Sequence, residues 1–460
     1  MSILWPQGDR RNMITDSQNQ QKFKLFYSWR RRWPRRDLRE GWRHSGSEAR
    51  YQCGHLTVYR CVGRLDPIAL FDLEDCRKFR AQSRQVLNSC FFKCAMLGDM
   101  GFRLDVWCIT TLSKLLIFQV LRKNGTINKR LFNSVTRTTK ARKKPSNGVS
   151  SVDVTIDQST GVWCRVYVPS YADPSKKLPI IMYFHGGGFV LLSPDIKEYD
   201  MHCRRMAKLS EVIVVTVCYR KAPEWKYPTA YEDGFSALQW VRSQAIDPHP
   251  DFPSNADFSR VFLAGDNAGG NIVHHLAARA GVNDIFPLVL GGMILIQPFF
   301  GAEARTVSEI RFKHGKLCDL KESDWYWKAF LPAGADRDHP CCNVCGPKSP
   351  SLSALNLPKI LVVVGGRDPL QDRQIEYGEA LQRVGKACTI LRYEKAFHGF
   401  FAFRAIKYTS MLHYAIEEFV HPPMDDRSYQ GSSTPRMSTA SHAEGFSRQS
   451  TKREQQSSQH

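Results

Sequence analysis

Apolar and polar positions along the chain change their period three times. From Thr111 onward, Leu112, Leu115, Leu116, Phe118, Val120 and Leu121 recur at helical spacing, and Asn124-Gly125 supplies a turn that stops the run. Lys140–Lys144, followed by Pro145, Asn147 and Gly148, predicts a linker. Beyond it Val152–Ile156 and Val162–Val168 alternate as two strands of a hairpin. The pattern then becomes short apolar runs separated by amphipathic stretches. The runs are Leu178–Phe184, Val212–Cys218, Val261–Ala264, Leu288–Ile296 and Ile360–Val364. Helices are expected at Tyr199–Leu209, Gly234–Ser243, Asn271–Ala280 and Leu412–Val420. Runs without alternation are strands buried on both faces, so the pattern predicts a mostly parallel α/β sheet covered by helices on each side.

Residues 1–108 carry no sustained period and are expected to be a basic, disordered extension. Residues 109–148 form a leading helix and linker, residues 149–422 the α/β domain, and residues 423–460, rich in Ser, Gln, Arg and Thr, a disordered tail.

Charge sharpens that division. The chain has 65 Lys+Arg against 44 Asp+Glu. Residues 1–150 hold 30 of the basic and 11 of the acidic groups, so the globular part is close to neutral. The basic knot Arg30-Arg31-Arg32-Trp33-Pro34-Arg35-Arg36 could serve nuclear import or an acidic surface. A near-neutral body argues against nucleic acid as its partner. Fourteen cysteines follow no metal-ribbon spacing, Cys341, Cys342 and Cys345 included, and read as reduced thiols. No leader-like apolar run follows Met1, and glycines and Pro298 break up Val289–Phe300. A protein of the cytoplasm or nucleus, without membrane association, is the expectation.

Four short motifs carry chemistry. His185-Gly186-Gly187-Gly188-Phe189 directly follows the run Leu178–Phe184, where glycines let backbone N–H groups approach a substrate oxygen. Gly265-Asp266-Asn267-Ala268-Gly269-Gly270 sits between a strand and a helix, the context of a G-x-S-x-G nucleophile elbow. Its central residue is Asn267, which tolerates a positive φ but offers only a delocalised carboxamide nitrogen as a nucleophile. Asp368 follows the run Ile360–Val364, and His398 lies in Ala396-Phe397-His398-Gly399-Phe400. The order Asn267, Asp368, His398 is the nucleophile–acid–base order of α/β-hydrolases. No other G-x-S-x-G exists in the chain. No metal constellation or dinucleotide fingerprint stands out, so no metal or cofactor is expected.

These motifs, with Tyr219-Arg220-Lys221-Ala222-Pro223-Glu224, Gln297-Pro298-Phe299-Phe300-Gly301 and Asp324-Trp325-Tyr326-Trp327-Lys328-Ala329-Phe330, resemble the plant carboxylesterases of the hormone-sensitive-lipase group, which includes the gibberellin receptor. The resemblance spans about Thr111 to Val420. It implies an α/β-hydrolase fold of about eight strands, with an N-terminal helical lid ending near Asn124–Arg130. It implies oxyanion donors from the backbones of Gly186, Gly187 and Ala268, and a pocket for a small ester- or hormone-like ligand lined by Gly188, Tyr199, Tyr326 and Phe401. The receptor branch keeps the serine and loses the histidine; this chain does the reverse. The receptor also has a serine, an arginine and a tyrosine where Gly188, Ser323 and Phe401 stand here. The expected function is therefore an esterase scaffold impaired at its nucleophile. An active carboxylesterase and a gibberellin-receptor-like binder, the latter with a protein partner, are the alternatives.

Overall fold

A computed structural model describes residues 110–114, 117, 119–170 and 175–422. The basic front segment, Leu115, Leu116 and Phe118 of the expected leading helix, and the tail from residue 423 lie outside the described residues. Of the expected lid, residues 110–114, 117, 119 and 120 are helical. Lys114 ties this stretch to the body through Asp319, 2.8 Å away, and Trp325 donates its indole N–H to the Arg122 carbonyl at 2.9 Å.

Eight strands follow: β1 Val149–Asp157, β2 Val162–Pro169, β3 Leu178–Phe184, β4 Ile213–Cys218, β5 Ala256–Asp266, β6 Leu290–Ile296, β7 Ile360–Gly365 and β8 Cys388–Tyr393. They form one sheet in the order β1-β2-β4-β3-β5-β6-β7-β8. The β1/β2 and β2/β4 pairs are antiparallel and the other five are parallel. The helices are α1 Lys129–Val135, α2 Lys197–Leu209, α3 Thr229–Ser243, α4 Ala268–Ala280, α5 Val307–Arg311, α6 Leu320–Phe330, α7 Gln371–Arg383 and α8 Lys407–Val420.

Strand periodicity divides the core in two. Ile180, Met182 and Phe184 of β3 join a cluster with Leu238 of α3, Ile272 of α4 and Leu381 of α7. The intervening Ile181 and Tyr183 join the other cluster, with Met206 of α2 and Leu412 and Ile416 of α8. Every side chain of β3 is buried, which is why its sequence is an unbroken apolar run rather than an alternation.

Strand β8 and helix α7 do not announce themselves as such runs. β8 lies at the sheet edge with only Tyr393 fully buried, so it shows no long apolar stretch. β5 begins five residues before the expected run, because Ala256 and Asp257 pair with Leu178 and Pro179 ahead of a register shift. Cys341, Cys342 and Cys345 are unbridged. Among the described residues no helix is long and apolar enough to cross a membrane.

Candidate active site

The site forms where parallel strands end, at the C-terminal edge of β3, β5, β6 and β7. β5 closes at Asp266 and α4 opens at Ala268, so Asn267 alone makes the turn, at φ 49° and ψ −117°. Two glycines allow that sharpness. A Cβ on Gly269 would be driven into the Phe184 carbonyl, and one on Gly265 into the backbone of Gly269. The Asn267 amide donates to the Ile296 carbonyl at 3.0 Å, and its own carbonyl accepts from Phe299 at 2.8 Å. The elbow is thus pinned to the end of β6 on both sides.

Asn267's side chain spans the site. Its Oδ1 accepts the Gly188 N–H at 3.0 Å, and its Nδ2 lies 2.9 Å from His398 Nε2. On the far side His398 Nδ1 lies 2.7 Å from Asp368 Oδ2. A carboxylate only accepts, so the imidazole hydrogen sits on Nδ1 and Nε2 accepts from the carboxamide. All three side chains are satisfied by this one assignment.

Asp368 is fully buried, and its charge is spread over several donors: the Leu370 N–H at 2.9 Å, Gln297 Nε2 at 2.9 Å and Gln374 Nε2 at 3.1 Å. Gln297 also accepts the Gly399 N–H at 2.8 Å, so one side chain positions both the acid and the histidine loop. Burial pulls the His398 pKa down, but the negative charges of Asp368 and Asp266, and the Asp368 hydrogen bond, outweigh it and leave the group raised. The Nδ2–H aimed at Nε2 opposes that protonation, because a second hydrogen on Nε2 would face a donor.

The glycine loop differs from expectation in a definable way. The Gly186 amide does not face the site: it donates to Tyr199 Oη at 2.9 Å and Asp266 Oδ1 at 3.0 Å. The expectation of Gly186 as an oxyanion donor is corrected on that ground, and Gly188 supplies the amide that reaches the elbow side chain. For Gly187 and Ala268 no amide hydrogen bond occurs among the described residues. The Tyr199 hydroxyl, expected at the pocket, donates to Asp266 Oδ2 at 2.9 Å and accepts the Gly186 N–H. Phe401 is buried and packs on Tyr199 and His202. Tyr326 lies over Gly188, at φ 62°, where a Cβ would fall on the tyrosine ring.

Asp266 went unnoticed as a functional residue, although its place beside the elbow was a signal. It is buried beneath the glycine loop and accepts from Tyr183, Tyr199 and Gly186. Burial still wins over these donors and pushes its carboxyl up to about 6. Cys318 was missed as well. Its Sγ lies within 4.8 Å of ligand-capable atoms of Asp368 and His398, the one such trio among the described residues. The Asp368 oxygens are already engaged by four donors and burial holds the thiol protonated, so the arrangement is a hydrogen-bonded relay beside a neutral thiol. Open grooves of about 540 and 530 Å³ lie elsewhere, and Asn267, Asp368 and His398 line neither.

Residues 181–402 match a family model described as the alpha/beta hydrolase fold. A gibberellin receptor of Arabidopsis thaliana is 42% identical over 311 residues, covering 65% of this chain and 88% of the receptor. This chain belongs to the plant carboxylesterase family of α/β-hydrolases, the group that includes the gibberellin receptors. Within that family, Carboxylesterase 20 of Arabidopsis thaliana is 36% identical over 272 residues, covering 57% of this chain and 82% of its own length. Beyond the plant carboxylesterases, the hyperthermophilic esterase of the archaeon Pyrobaculum calidifontis superposes with a TM-score of 0.52 at 29% identity, covering 60% of this chain and 86% of the esterase.

Proposed function

We propose that this protein is a carboxylesterase-type hydrolase severely impaired in ester hydrolysis by Asn267, with a site that still accepts a small ester- or hormone-like ligand. The observation that carries the reading is the pair of hydrogen bonds made by the Asn267 carboxamide, to Gly188 N–H and to His398 Nε2. In a working triad the base takes a proton from a hydroxyl, and the loop amides receive the substrate's carbonyl oxygen. Here one unreactive side chain engages both groups. Its nitrogen lone pair is delocalised into the carbonyl, so His398 cannot make it a nucleophile. Loss of the triad serine costs on the order of a million-fold in turnover, while loop amides and binding retain roughly a thousand-fold or more over water.

The test is hydrolysis of short-chain p-nitrophenyl esters by the wild-type protein and Asn267→Ser. The wild type is expected barely above background, and Asn267→Ser at least about a hundred-fold faster. Robust wild-type turnover that depends on His398 would favour the second reading, in which Asp368 and His398 activate water directly.

A receptor-like role is the third reading, and it rests on the 42% identity to a gibberellin receptor. Such a protein would pass the signal to a protein partner. Against tight gibberellin binding stand Gly188, Ser323 and Phe401, which lack the polar groups expected of the receptor branch. Gly188 also has a tyrosine ring where a larger side chain would sit. Each absent partner of a buried polar group costs about 1–3 kcal/mol. A side-by-side titration with a receptor is expected to give much weaker binding, and comparable affinity would reverse that judgement. We expect the protein in the cytoplasm or nucleus.

A further inference from the structure

We infer that Asn267 is itself a substrate of the site: its side-chain amide is hydrolysed in place by water, converting Asn267 to aspartate. The inference goes beyond the ester-hydrolysis reading and starts from a geometric coincidence. A hydrolase acting on an acyl group needs the carbonyl oxygen on loop amides and the leaving atom beside the imidazole. It also needs a carboxylate behind the imidazole and access for water. The carboxamide of Asn267 has its oxygen 3.0 Å from Gly188 N and its nitrogen 2.9 Å from His398 Nε2. Asp368 stands 2.7 Å behind His398 Nδ1. Asn267 is only partly buried, unlike its neighbours Asp266 and Ala268. Cγ of Asn267 is therefore bonded, like the acyl carbon of an intermediate, to one oxygen held by the loop amide and one leaving atom beside the imidazole.

The chemistry balances with water as the one co-reactant. A water oxygen adds to Cγ, and the carbonyl electron pair moves onto Oδ1, held by the Gly188 N–H. The water's proton passes to His398 Nε2, and the imidazolium is stabilised by Asp368. As the nitrogen becomes tetrahedral its lone pair turns toward Nε2 and takes the proton. The Cγ–N bond then breaks and ammonia leaves. The net change is carboxamide plus water to carboxylate plus ammonium, with no change of oxidation state. The same His398 that cannot activate Asn267 as a nucleophile is correctly placed to help expel its amide nitrogen.

The test uses the purified full chain incubated in heavy-oxygen water near neutral pH. The tryptic peptide between Arg260 and Arg279 is then sequenced by fragmentation mass spectrometry. Aspartate carrying one heavy oxygen is expected at residue 267. The change should be roughly a hundred-fold slower in His398→Gln, the loss typical of removing a positioned proton-transfer group. Asn124 and Asn147 each precede glycine and deamidate through a backbone imide, so they should convert at equal rates in both proteins. If His398→Gln fails to fold, urea-denatured wild type replaces it, and conversion at 267 should collapse while Asn124 and Asn147 continue. Three results would overturn the inference: no conversion at 267, equal rates with and without His398 or the fold, or a mixture containing isoaspartate, the mark of the imide route. All are read on residue 267 itself, so failure here is distinct from failure of the ester-hydrolysis reading, which Asn267→Ser tests.

Discussion

Two buried histidine settings in this protein have opposite electrostatic fates. His398 has a partner on each ring nitrogen, Asp368 on one side and Asn267 on the other, and its pKa is raised. His202 of α2 and His413 of α8 lie with ring centroids 5.1 Å apart, and neither nitrogen of either ring has a hydrogen-bond partner among the described residues. Burial and nearby Arg205 push both down, with the His202 charge adding to the effect at His413: His202 to about 3 and His413 to about 2. Burial is common to all three rings and pulls each toward neutrality. What differs is the carboxylate beside the ring, which Gln297 and Gln374 hold in place. The raised pKa of His398 therefore depends on the neighbouring carboxylates, Asp368 above all, and not on the imidazole alone.

The strongest test of that contrast is catalytic. In the Asn267→Ser background, His398→Ala should abolish the whole gain, at least about a hundred-fold in p-nitrophenyl ester turnover. His202→Phe in the same background should change turnover by less than about two-fold, since it touches no reacting atom. If both substitutions cost equally, the loss is one of structure and the assignment of His398 as base fails.

The next largest effect belongs to Asp266, a buried acid whose partners do not win. Its carboxyl is raised to about 6, above the ordinary aspartate value, so the native state binds the proton more tightly than the unfolded state does. Stability from this group is full below about pH 4 and is lost as pH rises toward 6, by about 3 kcal/mol. The difference in unfolding free energy between wild type and Asp266→Asn, followed by urea titration from pH 4 to 7, should change by that amount. A flat difference would mean that Tyr183, Tyr199 and the Gly186 amide fully offset the burial.

How much of this was legible beforehand follows physical lines. The glycine loop, the turn at Asn267, Asp368 and His398 could be singled out as candidates because such chemistry demands particular residue types at a strand end, and these side chains do come within hydrogen-bond distance. The buried strands were visible because two covered faces remove all alternation. Direction within the loop was not legible. Whether Gly186 or Gly188 turns its N–H to the elbow depends on Asp266 and Tyr199, which lie 80 and 13 residues from Gly186 and meet it only after β3, β5 and α2 pack. Gln297 belongs to the motif Gln297-Pro298-Phe299-Phe300-Gly301, but its hydrogen bonds to Asp368 and Gly399 need the ends of β6 and β7 side by side. The edge strand β8 was hidden because an edge needs few apolar residues.

A smaller effect separates the unpartnered histidines from His398 by sign. A histidine whose folded pKa is lowered contributes stability that is present above its unfolded value of about 6.5 and lost as pH falls. At pH 5 that amounts to about 2 kcal/mol for His202 alone. His202→Phe, which keeps the ring contacts with Tyr183 and Phe401, should recover about that much at pH 5 and less at pH 7.5, measured by urea unfolding. A variant no more stable at pH 5 than the wild type would reveal a proton partner for His202 in solution.

The smallest expected shift is the most specific to the site. His398 is raised, so its contribution to stability is present below about 6.5 and lost as pH climbs through its folded value. Catalysis needs the opposite form, because only a neutral Nε2 can accept the serine proton. The acid limb of kcat/KM for Asn267→Ser should therefore have its midpoint above about 6.5. Replacing Asn267 also removes the Nδ2–H that faces Nε2, which eases protonation and moves the limb the same way. A midpoint below about 6.5 would mean that burial outweighs Asp368 at His398 as it outweighs everything at His202. The two histidine settings would then differ in position but not in kind, and the glutamine-held carboxylate would orient the ring without supporting its charge.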